Sequence, residues 1–211
     1  MLELESLTYE AGDGDIRKAY GKLALRYHPD KLGDSITEGD KAVWLKIQEA
    51  YETLSDPVKR KKYDSSLPFD EKIPEEGDFD EEDFYEVFGK CFTLNSMWSV
   101  KKPVPNLGDA NSPMKDVKKF YKFWLDFKTW REFSQYDEYD LEEAHDRYER
   151  RYMENENKKG RKKYEKAERR RLGKLYEMAY NNDPRIQKEL KEIEEEKQRI
   201  KQEQRDRKLK E

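Results

Sequence analysis

An apolar period that runs into a proline constrains this chain most. Ile16, Ala19, Tyr20, Leu23, Ala24 and Tyr27 recur at i, i+3 and i+4, the spacing of one helix face. Arg17, Lys22 and Arg26 fall on the other faces. Pro29 disfavours helical dihedrals at His28, so the helix is expected to stop there and leave His28, Pro29 and Asp30 in an exposed loop. Trp44, Ile47, Tyr51 and Leu54 then lay down a second stripe that can pack antiparallel against the first. Asp30 is a short acceptor stiffened by Pro29, suited to pairing with an arginine on another protein. The cations Arg17, Lys22 and Arg26 would complement an acidic partner surface.

The rest of the composition narrows the class. Of 211 residues, 34% are hydrophobic and 44% charged, too few apolar groups for one core spanning the chain. A lone cysteine, Cys91, excludes an intrachain disulfide and reads as a small buried hydrophobe in a reducing compartment. Two histidines and one cysteine are too few for a zinc site or a Cys-His nucleophile, and no glycine-rich phosphate loop follows a strand. No cofactor, metal or catalytic activity is therefore expected. No stretch approaches the roughly 20 apolar residues of a membrane span, and no apolar leader is present. The expectation is a cytoplasmic, or also nuclear, binding protein.

Four regions follow one another, all read as helical or linking. Residues 1–66 hold the hairpin, its first helix expected to be incomplete because only Leu2 and Leu4 remain where it should end. Residues 67–83 read as an acidic linker; from Asp70 to Glu86 there are ten carboxylates and one lysine. Residues 84–183 read as a second helical domain. Its nucleus is Phe120, Phe123, Trp124, Phe127 and Trp130, spaced for one continuous helix and better suited to a core than to base stacking. Asp183 is a candidate N-cap with Pro184 in the first turn. Residues 184–211 then start a long charged helix, expected to continue beyond the sequence, with Glu195–Arg199 and Glu203–Arg207 as i,i+4 pairs.

One run stands out for its sign. Residues 158–171 hold nine cations against two carboxylates: Lys158, Lys159, Arg161, Lys162, Lys163, Lys166, Arg169, Arg170 and Arg171. On a helix this is a cationic rod suited to RNA phosphates without base readout.

Three blocks, Lys22 to Lys31, Glu49 to Asp56 and Arg60 to Asp64, resemble the J domain of DnaJ-type proteins in this order. Further blocks, Trp98 to Asp109, Phe120 to Phe133, Arg150 to Asn157 and Asp183 to Ile186, resemble the zuotin family of ribosome-associated J proteins. The resemblance covers nearly the whole chain. It implies an all-α molecule with a J domain, a zuotin homology domain and a charged C-terminal helix. It further implies that His28, Pro29 and Asp30 engage a DnaK-type chaperone and stimulate its ATP hydrolysis on nascent chains. The second domain would dock on ribosomal RNA and protein near the polypeptide exit. An atypical chaperone subunit binds, in that family, through an N-terminal segment absent here. A J protein of large-subunit maturation, or a structural RNA-binding protein with a vestigial J domain, are the alternatives.

Overall fold

The computed structural model describes residues 11–33 and 36–210, so the expectation about an incomplete first helix at Leu2 and Leu4 lies outside the described residues. The regular elements among the described residues are all helices, apart from one isolated bridge between Ser99 and Thr129, and irregular segments link them. The described residues cluster into two compact units: residues 11–33 and 36–69 with 131–162, and residues 70–130 with 163–210.

In the first unit, α1 (Asp13–Tyr27) opens with Asp15 accepting from the Gly12 N–H at 3.1 Å, and its acidic first turn suits the helix dipole. After a single turn, α2 (Pro29–Leu32), comes α3 (Glu38–Ser55). Thr37 accepts from the Asp40 N–H, a reciprocal cap in which the Thr37 hydroxyl and then the Thr37 N–H donate to the Asp40 carboxylate and hold it below its usual range. The helices α1 and α3 bury Ile16, Ala19, Leu23 and Ile47, and Tyr20 stacks on Tyr51 with centroids 4.0 Å apart. Asp56 caps α4 (Pro57–Ser66) through the N–H groups of Val58 and Lys59.

Residues 131–162, which lie inside the second domain expected over 84–183, make their closest contacts with this unit, and the reason is local. The Ser65 hydroxyl accepts from the Glu132 N–H at 3.1 Å, Gln135 donates to the Ser65 carbonyl, and Arg131 lies 4.9 Å from the Phe69 ring centroid. Asp146 caps the start of α7 (Arg147–Asn182), whose residues serve both units.

The second unit is an aromatic core. α5 (Phe84–Ser96) buries Phe84, Phe88 and Phe92, and α6 (Met114–Leu125) buries Val117, Phe120, Tyr121 and Trp124. Leu175 and Ala179 of α7 and Ile186 of α8 (Pro184–Lys210) complete it. The aromatic helix ends at Leu125 and not beyond Trp130. Phe127 reaches the core from the following loop, stacked on Trp124 at 4.4 Å, and Trp130 returns along Trp98 in a two-stranded ribbon. The acidic segment is partly packed: Phe79 meets Phe88 edge-on at 4.8 Å and Pro74 is buried. On α8 the expected ion pairs re-sort, Arg199 meeting Glu196 at 2.8 Å and Glu203 at 3.9 Å. Leu190, Ile193 and Ile200 stay exposed, as a charged helix with a thin apolar stripe should.

Candidate functional site

Two arrangements are candidates for function, one in a loop and one along a helix. The loop follows from Pro29. His28 leaves the helix at φ −65° and ψ 132°, its N–H still donating to the Ala24 carbonyl at 3.0 Å. Its Nδ1 then accepts from the Asp30 N–H at 3.2 Å, and Pro29 occupies the first position of α2. The His28 ring rests edge-on against Trp44 with centroids 4.9 Å apart. The Asp30 carboxylate is 87% exposed. It lies 3.7 Å from His28 Nδ1, a contact that becomes an ion pair only on a protonated ring. The tripeptide is thus fixed at its histidine and open at its aspartate.

Lys22 and Arg26 are exposed on α1, and the structure adds Lys18, which the sequence reading missed although its i, i+4, i+8 spacing with them was visible. At about 100° per residue these three span about 80° of the helix, whereas Arg17 falls on the far side of the exposed Leu25.

The nine cations of residues 158–171 divide by face. Lys158, Lys159, Lys162, Lys163, Lys166, Arg169 and Arg170 are exposed and share an arc of about 140° on α7. Arg161 and Arg171 point the other way. Arg161 makes two parallel bonds to the Asp137 carboxylate, one turn after Asn157, whose side chain clamps Glu138 and Tyr139. Arg171 binds both oxygens of the buried Glu168, at 2.8 and 2.9 Å, and the Asn95 side chain at 2.6 Å. Seven of the cations expected to meet phosphates are therefore open to solvent, while these two hold the fold. Lys159 also pairs with Glu156.

A buried network escaped the sequence reading apart from its cap. Asp183 is fully buried and accepts from the Arg185 N–H, from the Arg185 guanidinium at 3.0 and 2.6 Å, and from the Tyr121 hydroxyl at 2.8 Å. Arg185 also donates to the carbonyls of Leu107 and Asp109. Burial, and the Asp183 carboxylate beside it, push the Tyr121 hydroxyl far above its usual range. This network ties α6, α8 and the loop after Trp98 together.

Comparison with known proteins finds two families in order along the chain. The family description "DnaJ domain" matches residues 3–64, and "Zuotin-like, zuotin homology domain" matches residues 83–187. A bovine protein named DnaJ homolog subfamily C member 2 is 43% identical over 192 residues, covering 89% of this chain and 31% of that protein. Zuotin of Saccharomyces cerevisiae is 39% identical over 184 residues, 87% of this chain and 42% of its own length. Human DnaJ homolog subfamily C member 21 is 33% identical over 216 residues. The chain spans about a third to two-fifths of the curated relatives it matches. Among the described residues no helix is long and apolar enough to cross a membrane. With a tripeptide loop presented by a helical hairpin, an aromatic helical unit after it and both family descriptions in that order, the chain belongs to the J-domain co-chaperones that carry a zuotin homology domain.

Proposed function

We propose that the chain acts in a ribosome-associated co-chaperone of the cytoplasm. In this reading its first unit stimulates ATP hydrolysis by a DnaK-type chaperone acting on nascent polypeptides, and the open face of α7 rests on ribosomal RNA near the exit. One observation carries the chaperone half. Asp30 is 87% exposed on a loop whose histidine and proline are held, so it meets a partner cation at little ordering cost. Lys18, Lys22 and Arg26 stand exposed on the helix that leads into it, a complement to an acidic surface. Seven outward cations on one helix support the RNA half, because phosphate contacts need charge and little else.

A single-turnover ATPase assay with a DnaK-type partner tests this. The parent should accelerate hydrolysis and Asp30→Asn should abolish the acceleration while melting with the parent. Equal stimulation by the variant removes Asp30 from the mechanism. No stimulation by the parent returns the chain to a structural RNA-binding protein with a vestigial J domain.

A further inference from the structure

A second row of cations lies outside the run on α7. The buried face of α6 is Val117, Phe120, Tyr121 and Trp124. Directly opposite, Lys115, Lys119 and Lys122 are exposed and fall within about 60° of one another. They rise about 6 and 4.5 Å apart along the axis. Like charges at i,i+3 and i,i+4 destabilise a helix. Lys118 relieves its share by bonding Glu189 of α8 at 2.6 Å, but the three outward lysines make no ion pair among the described residues. Asp116 is the one carboxylate of α6, and it sits at the edge of the row.

The ribbon that follows carries three more lysines. The Val100 N–H donates to the Lys128 carbonyl, and the Trp130 N–H to the Trp98 carbonyl, each at 2.9 Å. That pairing sets Lys101, Lys102 and Lys128 at exposed positions on one short ribbon, three residues past the end of α6.

We propose that this lysine face of the second unit is a further RNA-binding surface, one that takes a sugar-phosphate backbone. It rests on the proposed RNA docking for the identity of the polymer, and on an independent set of residues for its place. Charge complementarity selects the occupant. A protein interface is depleted in lysine and centres on desolvated aromatic or arginine anchors, and this face offers neither. A phosphate backbone asks only for cations at intervals, without stacking or base readout. Two separate cationic faces would fix the orientation of the unit on RNA, which a single rod cannot do.

Binding of the full chain to a labelled RNA hairpin, followed by fluorescence anisotropy across a salt series, tests the proposal. Three variants are compared with the parent: Lys115→Glu/Lys119→Glu/Lys122→Glu, the matching triple change to Gln, and Lys163→Glu/Lys166→Glu/Arg170→Glu on α7. Each lysine–phosphate pairing removed should flatten the plot of log affinity against log salt by about 0.7 to 0.9. Both α6 variants should therefore lose roughly 2 to 3 from the slope. If the α7 variant flattens the slope and both α6 variants keep it, the docking reading stands and this surface is wrong. A parent slope in every variant overturns both. Unchanged RNA binding with loss of binding to ribosomes would assign the face to an acidic protein, against the proposal.

Discussion

The hairpin that presents Asp30 and the aromatic unit that follows are both helical, yet different forces hold them. Among its described residues the hairpin buries Ile16, Ala19, Leu23 and Ile47, half-buries the Tyr20–Tyr51 stack, and closes its helices with local caps at Thr37 and Asp56. The aromatic unit buries Phe84, Phe88, Phe92, Phe120, Tyr121 and Trp124 and locks them with Asp183 and Arg185. The functional groups differ in the same sense. Asp30 is held by one turn of backbone, whereas the outward cations of α7 ride on a helix whose inward cations are pinned by carboxylates. Damage to the aromatic unit should thus appear as reduced stability, and damage to the loop as reduced activity alone.

The largest effect should come from Trp124→Ala, which empties a site packed against Phe92 and Phe127. It should cost roughly 3–5 kcal/mol, seen as early loss of near-UV aromatic signal on heating. The Trp124 indole N–H has no hydrogen-bond partner among the described residues, so Trp124→Phe should cost clearly less, since it frees a buried donor from desolvation. Equal losses for Phe and Ala would mean that shape, and not volume, governs the site. Asp183→Ala should come close behind at roughly 3–5 kcal/mol, because it strands the buried Arg185 charge. Chemical denaturation reads this, and a variant as stable as the parent would show that the network contributes nothing net.

Much of this was legible in the sequence. The 3–4 spacing of Ile16 to Tyr27 and Pro29 gave the hairpin and its loop, and the spacing of Phe120 to Trp124 gave the core helix. Helical spacing continued past Leu125 because Phe127 and Trp130 are half-buried too, Phe127 against the core and Trp130 against Trp98, and periodicity cannot tell a helix from a loop that folds back. The inward turn of Arg161 and Arg171 was hidden for another reason. Asp137 and Asn95 are far away in sequence, only Glu168 lies near Arg171, and a run dominated by one sign of charge over fourteen positions looks alike on every face. The signal was present only as phase: Asn157, Arg161, Glu168 and Leu175 share the face that the structure buries or half-buries.

Smaller effects separate the faces. Arg161→Ala should destabilise the first unit by about 1.5–3 kcal/mol by removing the charged hydrogen bonds to Asp137, whereas Lys162→Ala, one residue on, should leave the melting curve unmoved. Identical curves for the two would erase the distinction between inward and outward cations. Thr37→Ala should cost about 1 kcal/mol by removing the cap of α3, measured by thermal melting. The smallest effect concerns Cys91. Burial pushes its thiol up, so alkylation by iodoacetamide near neutral pH should be slower than for free cysteine and should speed up as pH rises.

The central claim is that outward charge on α7 docks the chain while inward charge builds it. Co-sedimentation with ribosomes across a salt series, read beside far-UV helicity, tests it most directly. Lys158→Glu/Lys162→Glu/Lys166→Glu should keep parental helicity and melting, bind ribosomes far more weakly and show a flatter salt slope by about 2 to 3. A triple variant that sediments as tightly as the parent, with the same slope, would contradict the account and leave the outward cations of α7 as a solvated face.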